Sequence, residues 1–165
     1  MSLAEPMLAE LGHEAATTRR LLERVPVEQF GWKPHEKSMT LGRLAGHIAE
    51  IPGWIAGILD QDEFDVAASR STPRAPTDRA QLLQTFDTNI GKITEALKRQ
   101  DDPRMQATWR LKKQGQVVVE MPRAAMIRSM GLNHMVHHRG QLSVYLRLQN
   151  VPLPSIYGPT ADEPM

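Results

Sequence analysis

The sequence predicts an all-α protein, a four-helix bundle with one small β-hairpin before its last helix, and two observations predict it. Apolar residues recur at i, i+3, i+4 and i+7 along four segments. A single stretch, between Met105 and Met121, alternates apolar and polar residues instead. The 165 residues show no break in composition, which suits one domain over 1–165, since domains typically run ~100–200 residues.

The first helix spans about Leu3 to Arg24, where Leu8, Leu11, Ala15, Thr18, Leu22 and Val25 mark one face. Val25-Pro26-Val27 and Phe30-Gly31-Trp32-Lys33-Pro34 then break the periodicity and read as a connection. The second helix starts near Ser38 or Thr40, either of which can accept a hydrogen bond from first-turn amides. Its core face carries Leu44, Ile51, Ile55 and Ile58. Pro52 lacks an amide hydrogen and crowds the carbonyl of Ile48, so a kink or local unwinding is expected there. Asp60 to Pro76 is polar, with Asp62, Glu63, Asp65, Arg70, Ser71, Thr72, Pro73 and Arg74, and reads as a long loop. Thr77 can cap a third helix marked by Leu82, Phe86, Ile90, Ile93 and Leu97, which Asp101-Asp102-Pro103 ends. The hairpin turns around Lys113-Gln114-Gly115. Pro122 suits the first turn of a fourth helix running to about Asn150, and the tail from Val151 should lie extended because of its prolines.

Composition removes several function classes. Lys plus Arg number 20 and Asp plus Glu 19, a net charge of +1, so no single-signed field recruits a polyanion and no nucleic-acid partner is expected. The longest apolar stretch, Ile51 to Leu59, is far shorter than the ~20 residues that cross a bilayer, so no membrane partner is expected either. No cysteine is present, which excludes disulfides, thiolate ligands and a cysteine nucleophile. The N-terminus lacks a basic region followed by an apolar one, so a cytoplasmic location is expected.

Asn133-His134-Met135-Val136-His137-His138-Arg139-Gly140-Gln141 concentrates half of the six histidines. At about 100° per residue, His138 lies near +40° from His134, Gln141 near −20° and Tyr145 near +20°. Ile127, Met130 and Leu148 fall on the same stripe, which should therefore enter the core. His134 and His138 are helical neighbours able to converge on one cation, and His137 can pair with His134 at i+3 instead. Periodicity leaves that choice open. His47, within about 60° of Leu44 and Ile51, supplies a third inward imidazole from the second helix. Three neutral imidazoles leave a fourth position free, a catalytic rather than structural pattern for zinc. A lone histidine on an apolar face is more commonly a core residue bonded to a carbonyl, but three buried together would each carry an unpaired cost of order 1–3 kcal/mol that a shared metal offsets.

Other candidates carry less. His134-x-x-x-His138 has metalloprotease spacing, but Met135 stands where that motif needs its glutamate base. His13 and His35 read as surface or loop residues, and Arg123, Arg128, Arg139 and Arg147 as a solvated face without interleaved aromatics. Gly140, about 200° from His138, would let another helix approach, including one from a second subunit.

His134 to Leu142, read as H-x-x-x-H-R-G-Q-L, with Tyr145-Leu146-Arg147 and the ending Pro154-Ser155-Ile156-Tyr157-Gly158-Pro159-Thr160-Ala161-Asp162-Glu163, resembles the C-terminal signature of the DinB (damage-inducible) family of four-helix metalloproteins, unrelated to the polymerase of similar name. Trp32-Lys33-Pro34, Ser38 and Leu41-Gly42-x-Leu44-x-x-His47 are similar to the family's second-helix signature. The resemblance covers most of the chain. It implies an up-down-down-up bundle, often dimeric, with a divalent metal on His47, His134 and His138, the last chosen over His137 because the family's ligand immediately precedes Arg-Gly-Gln. It also implies thiol-dependent transferases and isomerases using bacillithiol, mycothiol or glutathione among the relatives. Substrate-contacting residues do not carry over from the motif.

The expected cofactor is thus a divalent metal, zinc or nickel, and the expected partners are a small-molecule substrate, a low-molecular-weight thiol and a second copy of the chain. A histidine-held Zn²⁺ lowers the pKa of a bound water to ~7 and similarly favours a thiolate. Gln141 and Tyr145, farther along the stripe, are the catalytic candidates for orienting what reacts. The leading function is a metal-dependent enzyme activating a thiol or water for transfer to, or hydrolysis of, a small electrophile. The alternatives are a non-catalytic metal-binding or small-ligand-binding stress protein, and a bundle with unmetallated buried histidines.

Overall fold

The structure, a computed structural model, describes residues 2–68 and 74–164. Helix α1 (Ala4–Leu22) buries Leu11, Ala15, Thr18 and Leu22 on the predicted face, with Glu5 in its first turn and Arg19 and Arg20 in its last, each favourable to the helix dipole. A 3₁₀ turn (Val27–Gln29) follows. The connection then folds back onto the start of α2 (Leu41–Asp60): Leu41 N donates to Trp32 O at 2.7 Å and Gly42 N to Phe30 O at 3.0 Å. A Cβ on Gly42 would lie 2.9 Å from Phe30, so only glycine admits this contact. Of the two predicted caps it is Thr40 that serves, its Oγ1 accepting from Arg43 N at 3.2 Å.

Helix α2 continues through Pro52 without the local unwinding that the sequence also allows there. One residue beyond Ile48, whose carbonyl Pro52 leaves without its helical donor, Asn89 of α3 docks on the helix: its Nδ2 donates to Ala49 O at 2.9 Å, and Gly53 leaves room for it, since a Cβ there would meet Asn89 Oδ1 at 3.0 Å.

The expected loop from Asp60 to Pro76 is corrected in part. Glu63–Asp65 form strand β1, paired parallel to β2 (Thr108–Lys113), which pairs antiparallel with β3 (Gln116–Pro122), so the sheet has three strands in the order β1-β2-β3 rather than a hairpin alone. Three residues are too few to establish an alternating pattern. Arg70, Ser71, Thr72 and Pro73 of the expected loop lie outside the described residues. The β2–β3 turn places Gln114 at φ 53° and Gly115 at φ 78°, both in the left-handed region as a tight hairpin requires. Asp65 accepts from both turn amides, at 3.1 and 2.6 Å, and so ties β1 to the hairpin.

Helix α3 (Arg79–Lys98) buries Leu82, Phe86, Ile93 and Leu97. Its cap is Asp78, which accepts from Gln81 N at 2.8 Å, and not Thr77, whose amide and hydroxyl engage Gln81 Oε1 instead. A short helix α4 (Asp102–Gln106) begins on Asp101. The last helical stretch runs without a break from Arg123 to Leu148, with Pro122, the end of β3, at its N-cap, close to the expected bounds. What the sequence does not predict is its π-helical segment (Ile127–Asn133), which separates α5 (Arg123–Met126) from α6 (His134–Leu148).

Helix α2 packs against α3 and α6, and α1 against the same two, around a core that includes Leu11, Leu44, Ile48, Ile55, Phe86 and Leu142. Two arginines expected on a solvated face are buried. Arg123 donates to the carbonyls of Ile58 and Gln61 at the end of α2 and to that of Arg104 in α4, at 2.8–2.9 Å, satisfying carbonyls that the helix ends leave without donors. Arg139 pairs with buried Glu14 at 2.6 Å under the ring of Tyr157. Arg128 and Arg147 are exposed as predicted. The tail, without helix or strand from Val151 on, is strapped down by Tyr157 on Glu14 and by Glu163 on Arg20 and Arg24. Among the described residues no helix is long and apolar enough to cross a membrane.

Candidate metal centre

His47 sits mid-way along α2, while His134 opens α6 immediately after the π-helical segment. Gly131 makes their meeting sterically feasible: a Cβ there would lie 2.5 Å from Ile55 Cδ1, so α2 and the π segment approach as closely as only glycine allows. His134 Nε2 then lies 3.3 Å from His47 Nε2 and 2.7 Å from His138 Nε2. The three residues form a group whose ligand atoms all fall within 4.8 Å of one another and can hold a metal ion. His137 is outside the group, exposed, with its ring 4.9 Å from that of His138. His13 and His35 are exposed as well.

The donor set fits a cation better than it fits itself. A neutral imidazole has one in-plane lone pair and one N–H, so His134 Nε2 cannot satisfy both neighbours by hydrogen bonding. His138 Nδ1 lies 2.7 Å from Gln141 Oε1, which places the proton on Nδ1 and leaves the Nε2 lone pair facing the other two rings. The Nδ1 atoms of His47 and His134 are buried and have no hydrogen-bond partner among the described residues. Donors on a tetrahedral ion with bonds of ~2.0–2.1 Å stand roughly 3.3 Å apart, so the His47–His134 spacing matches and the His134–His138 spacing is slightly tight.

Electrostatics keep the three imidazoles neutral. Burial, with the neighbouring His138, His134 and Arg43, pulls the His47 pKa down to about 4. Burial also lowers His134, opposed by the Met130 carbonyl, although that carbonyl falls outside hydrogen-bond geometry for Nδ1. His138 is lowered by burial, opposed by its Gln141 bond.

The two catalytic candidates part company. Gln141, exposed, contacts His138 from behind, whereas the Tyr145 hydroxyl lies 3.4 Å from the Met39 carbonyl with its ring edge-on to Trp32. The expectation that the histidine stripe is the core stripe is also corrected. Met130 and Leu148 are exposed, and the buried line of α6 runs through Met135, Arg139, Leu142 and Leu146, centred about 100° round from His134. The histidines therefore occupy the flank of the core face, open on one side. Trp54 carries no signature in the sequence reading, yet its ring stands 5.2 Å from that of His47 and 6.1 Å from that of His134. Its position seven residues after His47 on the same helix was the available signal.

A mostly helical chain with a small sheet, presenting three neutral imidazoles to one point, defines a histidine-triad protein able to hold a metal. The family model described as "DinB family" matches residues 1–164, and the chain belongs to the DinB family. It is similar to the uncharacterized protein YrdA of Bacillus subtilis (strain 168), with 28% identity over 151 residues, covering 91% of this chain and 85% of that one. Its fold is similar to two crystal structures: a DinB-like protein from Bacillus cereus ATCC 10987 (TM-score 0.73, 21% identity, 93% of this chain and 97% of that one), and the DinB-like YjoA of Bacillus subtilis (TM-score 0.70, 17% identity, 92% and 97%).

Proposed function

We propose that the protein is a metal-dependent enzyme in which His47, His134 and His138 hold one divalent cation, zinc or nickel, and bring a low-molecular-weight thiol or water to a small electrophile. The observation that carries this is the convergence of three imidazole Nε2 atoms on the flank of the core, with no fourth protein ligand beside them among the described residues. The cation, when bound, supplies Lewis acidity that favours the deprotonated thiol or water near neutral pH. The chain supplies the rest. His47, His134 and His138 stay neutral through burial, Gln141 fixes the ring of His138, and Trp54 walls one side of the centre. Tyr145, edge-on to Trp32, orients the incoming molecule, while Gln141 acts through its bond to His138. Without cysteine in the chain, the sulfur nucleophile arrives as a co-substrate. An up-down-down-up bundle, a homodimer through the open face at Gly140 and a cytoplasmic location belong to the same proposal; a Cβ added at Gly140 would meet nothing within 4 Å, which supports the open face.

Elemental analysis followed by cobalt substitution tests it. Adding thiol should produce a sulfur-to-metal charge-transfer band and release about one proton per site. Alanine at His47, His134 or His138 should abolish metal retention, and His137→Ala should not. No band with bacillithiol, mycothiol, glutathione or simple thiols overturns thiol activation and leaves water activation or metal storage. Failure to retain or take up any divalent metal overturns the whole reading.

A further inference from the structure

A cavity of about 460 Å³ opens between the C-terminal half of α2, the sheet and the π-helical segment. That volume falls within the ~300–1,000 Å³ of small-molecule sites. Its walls include Trp54, Ile58, Phe64, Trp109, Leu111 and Met130, and among the described residues no charged side chain lines it. A charged occupant would lose its hydration there without gaining a partner, whereas an apolar one would recover surface that the protein leaves uncovered. Trp54, Phe64, Val66 and Met130, four of the large apolar side chains exposed to solvent, all lie on this cavity. Gln61, exposed and also in the wall, brings a side-chain amide that offers one polar anchor.

The cavity adjoins the histidine triad through a shared wall. Trp54 lines it and stands against His47, and Met130 lines it one turn before His134. Gly57 keeps it open: this mid-helix glycine has nothing within 4 Å of an added Cβ, so no close helix contact explains its presence.

We infer that this cavity binds a small uncharged molecule of up to three rings, placed beside the histidine triad across Trp54. That its occupant is the electrophile of the reaction rests on the proposed function; that it binds such a molecule does not.

Metal-free protein titrated with the uncharged fluorophore N-phenyl-1-naphthylamine tests this, with energy transfer read from tryptophan, since Trp54 and Trp109 line the cavity. Saturable binding of about one equivalent per chain is expected, weakened roughly tenfold or more by Gly57→Leu and unchanged by Gly12→Leu on α1. Leucine is the better helix former and its Cβ meets nothing at position 57, so Gly57→Leu should fold. Should it lower the melting temperature, Phe64→Ala, which removes an exposed wall residue, is expected to weaken binding in its place. Absent or unsaturable binding overturns the inference, as does undiminished affinity in both variants. Equal affinity for the anionic 8-anilinonaphthalene-1-sulfonate overturns the requirement for an uncharged ligand. Because the metal is absent throughout, this result stands or falls separately from the metal centre.

Discussion

His47 couples protonation to folding. Its pKa falls from 6.5 to about 4 in the fold, so between those values the unfolded chain binds a proton that the folded chain refuses. The unfolded state then holds more protons, and stability rises with pH across that window. Metal-free protein should therefore lose on the order of 3 kcal/mol from this residue as pH falls from about 6.5 to about 4, with His134 and His138 adding in the same direction. Urea denaturation at steps through that range measures the slope, and His47→Gln should flatten it. Gln141 acts on the same centre by holding His138 through Nδ1. Gln141→Ala should weaken metal affinity ~10–100-fold in a chelator competition while leaving helicity unchanged, and Gln141→Glu, which keeps an acceptor, should restore most of it.

At the scale of elements, the approach of the π segment to α2 decides whether the histidines meet. Helix propensity alone makes alanine better than glycine by about 1 kcal/mol in a helix interior. At Gly131 the sign should reverse, because the added Cβ meets the side chain of fully buried Ile55 at 2.5 Å. Gly131→Ala is expected to destabilise by about 1–3 kcal/mol, the scale of overpacking, and to loosen the His47–His134 spacing. Ile55→Ala, which removes both the Cδ1 and Cγ1 atoms concerned, should recover part of the Gly131→Ala loss in the double variant. Thermal denaturation of the two single variants and the double one closes the cycle.

Across the whole molecule, the buried pair of Glu14 on α1 and Arg139 on α6 joins the two ends of the chain, with Tyr157 donating to Glu14 at 2.9 Å and covering Arg139. Arg139 directly follows His138, so this clasp holds the start of α6 against α1 and leaves the preceding imidazole turned toward α2. Glu14→Ala leaves a buried guanidinium without its counter-charge and should cost about 3–5 kcal/mol. Limited proteolysis should then cut the tail beyond Val151 sooner than in the parent protein.

Much of this was legible in the sequence because helical periodicity is local. The spacing of Leu11, Ala15, Thr18 and Leu22, the turn at Gln114-Gly115 and the i, i+4 placement of His134 and His138 depend on residues a few positions apart. The choice of His138 over His137 needed the Arg-Gly-Gln that follows, since both are helical neighbours of His134 and their difference is one of direction. What the tertiary structure alone decided involves partners distant in the chain. Strand β1 exists through its pairing with β2 some fifty residues on. Asn89 of α3 docks on the Ala49 carbonyl of α2, beside Pro52. Met130 of the π segment faces solvent and the histidines lie on the flank of the buried face of α6, and Arg123 and Arg139 are buried where carbonyls and a carboxylate on other helices receive them. A one-dimensional pattern records which face is apolar, but the energy that buries a charged group or shifts a helical register comes from contacts that exist only once the chain has closed on itself.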